Sequence, residues 1–112
     1  MKPVEYQHAC MRTARSRDTD YLTMNGVLGL TGEAGEVAEV ADMIKKWRYQ
    51  GHEMDYRKLA EELGDCLWYI ATMAQGIGYD LEHIMEMNIA KLKRRYPAGF
   101  DPLLSINREE AE

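Results

Sequence analysis

Positive charge is in short supply in this chain. Lys and Arg number 14 against 19 Asp and Glu, for a net charge of −5 and a sequence pI near 5.2. That balance argues against a nucleic-acid backbone binder, whose footprint is a basic face. What positive charge exists is local, in KLKRR at 91–95. Cysteine is scarcer still: Cys10 and Cys66 make no disulfide framework. Cys66 lies in an apolar helical pattern, which fits a buried thiol in a reducing cytosol. No apolar run approaches the roughly 20 residues of a membrane span, and the N-terminus lacks a signal-peptide core. A cytoplasmic protein with no membrane partner is expected. No segment alternates with period two for long enough to form a sheet, and neither an internal repeat nor a low-complexity tract is present. The 112 residues suffice for one domain and one core, but are few enough that oligomerisation would matter.

What is there is helical periodicity. Residues 3–16 read as a first helix, with Pro3 at its start and Tyr6, Ala9, Cys10, Thr13 and Ala14 at helical spacing. After the polar break SRDTD, a long helix is expected from about Tyr21 to Tyr49. Its glycines at 26, 29, 32 and 35 each cost about 1 kcal/mol relative to Ala, so they imply close packing against another helix. A kink near Gly29 or Gly32, or a separate short first helix, is the competing account. Gln50-Gly51-His52 ends this helix, and Asp55 caps a third running from Tyr56 to Gly76. Leu59, Leu63, Cys66, Leu67, Ile70, Met73, Ala74 and Ile77 are its core face, with Gly76 and Gly78 closing it. A fourth runs from Leu81 to about Tyr96, capped by Asp80, with Leu81, Met85, Ile89, Leu92 and Tyr96 inward and Pro97 and Gly99 as stops. The expected class is all-α, a bundle of about four helices whose core oligomerisation completes. Residues 1–100 are the domain, and 101–112 an arm or frayed tail.

Two acidic pairs interrupt this pattern. At about 100° per residue, Ala34, Val37, Val40, Ala41 and Ile44 share one face of the long helix. Glu33 falls inside that face and Glu36 on its border, while Glu39 and Asp42 point the other way. A carboxylate facing a core is costly unless paired or metal-bound; a slight roll of the helix, letting both reach water, is the plainer alternative. The third helix repeats the oddity: Glu62 and Asp65 are spaced i, i+3 with Tyr69 one turn on, and Glu61 points outward. On antiparallel neighbours the two pairs would converge into a four-carboxylate cluster that can hardly stay ionised without cations. Its hard oxygens suit Mg²⁺ or Mn²⁺. No histidine is spaced for a di-iron site.

The fourth helix supplies the complement. Asn88 lies on its apolar face, Lys91 and Arg95 flank that face, and Arg94 points away. An acidic metal cluster facing Asn, Lys and Arg suits a polyphosphate. Taken alone, KLKRR reads first as a basic helix C-terminus matched to the dipole; four polar intrusions on three core faces together favour the site. Tyr69 and Trp47 are candidates to stack on a nucleobase, and Trp68 to lie at an oligomer interface.

Glu33-x-x-Glu36, a 25-residue gap, Glu62-x-x-Asp65 and then Asn88-x-x-Lys91-x-x-x-Arg95 resemble the MazG-like nucleotide pyrophosphohydrolases of the all-α NTP pyrophosphatase superfamily. The resemblance takes in EYQ near the start, GLTGEAGEVAEVADMIKKW, KLAEELGDCLWYI and NIAKLKRRYPAGF. It implies Mg²⁺-dependent hydrolysis of a nucleoside or deoxynucleoside triphosphate to the monophosphate and pyrophosphate, in nucleotide-pool housekeeping. It also implies homodimers, sometimes paired into homotetramers. Carried over by residue, Glu33, Glu36, Glu62 and Asp65 match catalytic metal-binding positions, with Glu36 a candidate to orient water. Asn88, Lys91 and Arg95 match positions near the phosphates, and Tyr69 one that contacts the base in some relatives. A phosphoribosyl-ATP or dUTP-type pyrophosphatase keeps the same acidic logic. A noncatalytic, metal-binding oligomerisation module is the alternative from another class.

Overall fold

Helical periodicity over most of the chain becomes six α-helices in the computed structural model, which describes residues 1–108. They are α1 (Pro3–Cys10), α2 (Thr19–Ala38), α3 (Val40–Gln50), α4 (Tyr56–Ile77), α5 (Leu81–Arg95) and α6 (Pro102–Ile106). No strand occurs among the described residues, only an isolated bridge between Pro97 and Gly99. The all-α expectation therefore holds.

The boundaries follow local chemistry. Asp18, Asp55 and Asp101 each accept a hydrogen bond from a first-turn backbone amide of α2, α4 and α6. Gly51 and Gly78 end α3 and α4 in the left-handed conformation, at φ 75° and 78°. Several expectations need correction, the Asp80 cap among them, since its side chain makes no bond to the first turn of α5. The first helix stops at Cys10, and a single 3₁₀ turn, Met11–Thr13, leads to extended Ala14. The long helix breaks at Glu39 rather than at a glycine, where Glu39 N–H tightens onto the Glu36 carbonyl (3.1 Å). Gly76 is inside α4 and ends nothing. The tail carries α6, while its last four residues lie outside the described part.

The principal packing is α2 on α4. A methyl added at Gly29 would lie 2.1 Å from the Tyr69 ring, one at Gly26 2.7 Å from Met73 Cβ, and one at Gly76 2.5 Å from Thr23 Oγ1. Residue numbers fall along α4 as they rise along α2, so the helices run antiparallel, and glycine on both sides lets the backbones close up. Gly32 and Gly35 have nothing near them; only part of the glycine series serves the contact.

The core is small: Cys10, Ala71, Ala74 and Leu81, with Tyr6, Trp68 and Ile84 packed on it. Trp68 is thus tied to the start of the chain, its indole N–H donating to Thr13 Oγ1 (2.8 Å), rather than displayed for a partner. The apolar faces expected to point inward are largely uncovered. Leu63, Leu67, Ile70 and Ile77 of α4 are 37–52% exposed, and Met85, Ile89 and Leu92 of α5 39–52%. Ile44 on α3 is 48% exposed, with Ala34 and Ala41 also open. The radius of gyration is 17.4 Å, against about 13 Å for a compact chain of this length. α5 makes its main contact with α1 rather than with α2 or α4, and α3 packs lightly, mainly on α2. No helix is long and apolar enough to cross a membrane among the described residues.

Candidate metal centre

The antiparallel register of α2 and α4 continues one turn beyond Gly29 and Tyr69, and there it sets the acidic pairs against each other. Glu33, Glu62 and Asp65 each offer a carboxylate oxygen, and the three lie within 4.8 Å of one another. Glu36, more exposed, lies within hydrogen-bonding reach of both Glu33 and Glu62. All four carboxylates expected at this site are therefore neighbours.

Glu33 and Glu62 are the half-buried pair. One oxygen of each, Oε2, is buried and has no hydrogen-bond partner. Partial burial comes first in pushing both carboxyls above their usual 4.5, and the other carboxylates add to it. Lys58, one turn earlier on α4, supplies an opposing charge at Glu62. Two buried carboxylate oxygens without a hydrogen-bond partner, in a nest of like charge, fit the donor set of a hard divalent ion. No histidine belongs to the cluster: His52 lines a hollow with Glu39, Asp42, Lys46 and Lys58, and His83 stacks on Tyr79. Glu61 points away as expected, paired with Arg57 at 3.1 Å.

The basic residues are placed elsewhere. Asn88, Lys91 and Arg94 line an open hollow of about 750 Å³ with Ile77, Tyr79, Ile84 and Met87, and no carboxylate among the described residues shares that lining. Within one chain, then, α5 does not face the acidic cluster across a bundle, because it leans on α1 instead. Arg94 shares the stripe of Asn88 and Lys91, which corrects the expectation that it points away. Lys93 lies on the opposite side, with Met85, Glu86 and Ile89. Arg95 is half-buried at the last residue of α5. Tyr69 lies over Gly29 and meets Trp68 edge-on at 5.1 Å, and Trp47 is half-exposed on α3.

Three residues near the cluster escape a motif-based reading. Lys58 was legible as the residue four before Glu62, the helical distance for an ion pair. Cys66, free and half-buried, follows Asp65 directly, and burial with the surrounding carboxylates raises its thiol. Tyr6 reaches in from α1, its hydroxyl donating to the Gly64 carbonyl (3.5 Å). Burial, Cys10 and the Asp65 charge push that hydroxyl up to about 12. Nothing in its local sequence pointed to α4.

A family model, the MazG nucleotide pyrophosphohydrolase domain, matches residues 27–100. No curated protein and no solved structure gives a match. The matched segment contains every carboxylate of the cluster and all of α5, and the chain belongs to the MazG nucleotide pyrophosphohydrolase family.

Proposed function

We propose that this chain hydrolyses a nucleoside or deoxynucleoside triphosphate to the monophosphate and pyrophosphate, using Mg²⁺, or Mn²⁺ in its place. The observation that carries the reading is the pair of orphaned oxygens on Glu33 and Glu62, inside a carboxylate cluster within the family match. Glu33, Glu62 and Asp65 would hold the metal, with Glu36 at their open edge. When bound, the ion supplies charge neutralisation of phosphate oxygens and an acidified water. Glu36, the more exposed carboxylate beside the other three, is suited to orient that water and take its proton. Asn88, Lys91 and Arg95 bind the phosphate chain and take the charge that grows on the departing pyrophosphate. Tyr69 borders the site as a base contact.

The working unit in this reading is a homodimer or homotetramer. The surface of 8583 Å² exceeds the roughly 6,300 Å² of a compact monomer of 12.9 kDa by about 2,300 Å². Obligate interfaces bury 2,000–5,000 Å² in total, so the uncovered stripes of α4 and α5 suffice for one. Assembly also supplies a way to bring the α5 stripe to an acidic face that it does not meet in its own chain.

The test is direct. Purified protein is incubated with each common NTP and dNTP, with Mg²⁺ or with chelator, and pyrophosphate and monophosphate are measured. Equimolar release that depends on the metal is expected. Release of orthophosphate and a diphosphate would overturn the proposed bond cleavage, and metal binding without turnover of any nucleotide would favour a noncatalytic module.

A further inference from the structure

Gln7 is 1% exposed, an unusual place for a primary amide, and both ends of that amide are used. Its Nε2 donates to the Tyr79 carbonyl at 2.8 Å, and its Oε1 accepts from the Leu81 backbone N–H at 2.9 Å. The Leu81 N–H belongs to the first turn of α5, where helix amides have no partner within the helix. Asp80 stands at the N-cap yet makes no side-chain cap bond. Gln7, from a different helix and 74 residues away, makes a bond that the helix lacks. Leu81 is buried and Ile84 packs on the core, while Met85, Met87 and Ile89 are half-exposed. Gln7 thus anchors the N-terminal end of the helix.

We infer that Gln7 is a positioning residue that sets the direction of α5 and, through it, the placement of Asn88 and Lys91 against the substrate's phosphates. This rests on the reading of α5 as the phosphate-binding helix. Lys91 stands ten residues beyond Leu81, about 15 Å along the axis, so a tilt of about 10° at the anchor moves it by about 2.6 Å. Misplacements of that size are costly to reactions that depend on alignment. The N-terminal segment ties α4 down separately, from Tyr6 of α1 to the Gly64 carbonyl and from Thr13 in the following 3₁₀ turn to the Trp68 indole. The two ties can therefore be cut one at a time.

The experiment compares Gln7→Met, which keeps the buried volume and removes both bonds, with Thr13→Val, which loses the Trp68 tie to α4 and a local bond to the Cys10 carbonyl but leaves both Gln7 bonds in place. Hydrogen exchange on the full-length proteins should show faster exchange of the α5 amides in Gln7→Met alone. Steady-state kinetics should show a KM raised about fivefold or more with kcat changed less than about twofold, and Mg²⁺ affinity without nucleotide unchanged. Thr13→Val should lower the melting temperature and leave KM alone. Gln7→Glu, which keeps the acceptor for Leu81 N–H, should restore part of the KM and carries the test if Gln7→Met does not fold. Unchanged α5 exchange would overturn the anchor. Faster exchange with an unchanged KM would overturn the positioning role, provided that Lys91→Ala raises KM. If Lys91→Ala leaves KM flat as well, the assignment of α5 to the phosphates fails, and this inference with it.

Discussion

The two charged regions of this protein are built in opposite ways. The acidic one is made inside the chain: α2 and α4 close on glycine, and their register alone brings Glu33, Glu36, Glu62 and Asp65 together. The basic one is displayed, on a helix whose first turn Gln7 holds and which borders a hollow with no carboxylate among its described lining residues. The acids are therefore a property of one helix pair and tolerate little change in its packing. The cations are a property of where α5 is pointed.

The sharpest break in this contrast is Glu62→Gln. It keeps the shape of the side chain and removes one ligand charge, so turnover should fall roughly a hundredfold or more with circular dichroism unchanged. Without metal the same variant should melt no lower than the parent, because it relieves a like-charge cluster. Full activity would remove Glu62 from the ligand set. The pH dependence has a related sign. The folded state favours the protonated forms of Glu33 and Glu62. Their contribution to stability is thus complete below the usual 4.5 and is lost as pH rises through the elevated values. Metal-free melting temperatures should fall as pH is raised across that window, and Mg²⁺ should restore them at neutral pH. Metal affinity should weaken as pH is lowered through the same window, since protons compete for the same oxygens. A metal-free melt that rises across it would contradict the buried, repelling cluster.

Next in size is Lys91→Ala. Loss of one charge-assisted phosphate contact should raise KM or slow turnover roughly tenfold and leave Mg²⁺ affinity unchanged. Arg94→Ala should follow it in kind because the two share a stripe, whereas Lys93→Ala, on the other side, should have little effect. If all three behave alike, the basic run is only a helix end matched to its dipole. Mixing Glu62→Gln and Lys91→Ala subunits sharpens the comparison further: recovered activity would mean that acids and cations meet between chains.

The sequence made the acidic half legible for a physical reason. Glu33 and Glu62 violate the apolar periodicity of their own helices, and an i, i+3 pair is a local signal. The helical class, the Asp55 cap and the Gly51 stop are local in the same way. The direction of α5 is not, because it depends on Gln7, whose partners lie more than 70 residues on. Nor was it legible that Met85, Ile89 and Leu92 lack a cover within the chain. Periodicity identifies an apolar face but carries no information on which molecule will bury it. Trp68 was misread by the same limit: it points away from the main stripe of α4, yet α1 lies there to receive it.

A smaller effect tests the packing that sets the acidic register. Gly29→Ala places a methyl 2.1 Å from the Tyr69 ring, and Tyr69 is one turn from Asp65. Spreading the helices or expelling the ring should cost about 1–3 kcal/mol of stability and weaken Mg²⁺ binding as well. Gly76→Ala should cost as much, since the Thr23 backbone nitrogen, 2.8 Å from the added carbon, cannot swing aside. That site is at the far end of the contact, so its effect on the metal should be slight. Equal loss of metal affinity in both would mean that the carboxylates respond to stability and not to register.

The smallest effect has the opposite sign. Gly32 belongs to the same glycine series as Gly29 and lies next to Glu33, yet an added methyl there meets nothing within 4 Å. Alanine at this helical position should therefore gain up to about 1 kcal/mol, through reduced freedom of the unfolded chain and better helix propensity. Metal affinity should not change, because the α2–α4 contact is untouched. Thermal melts of Gly29→Ala and Gly32→Ala, one turn apart, then report whether the chain is closed at the first position and open at the second. A loss of stability at Gly32 that appears only at assembling concentrations would show that a second copy covers this part of α2. A loss at every concentration would mean that the open space beside Gly32 is filled within the chain itself.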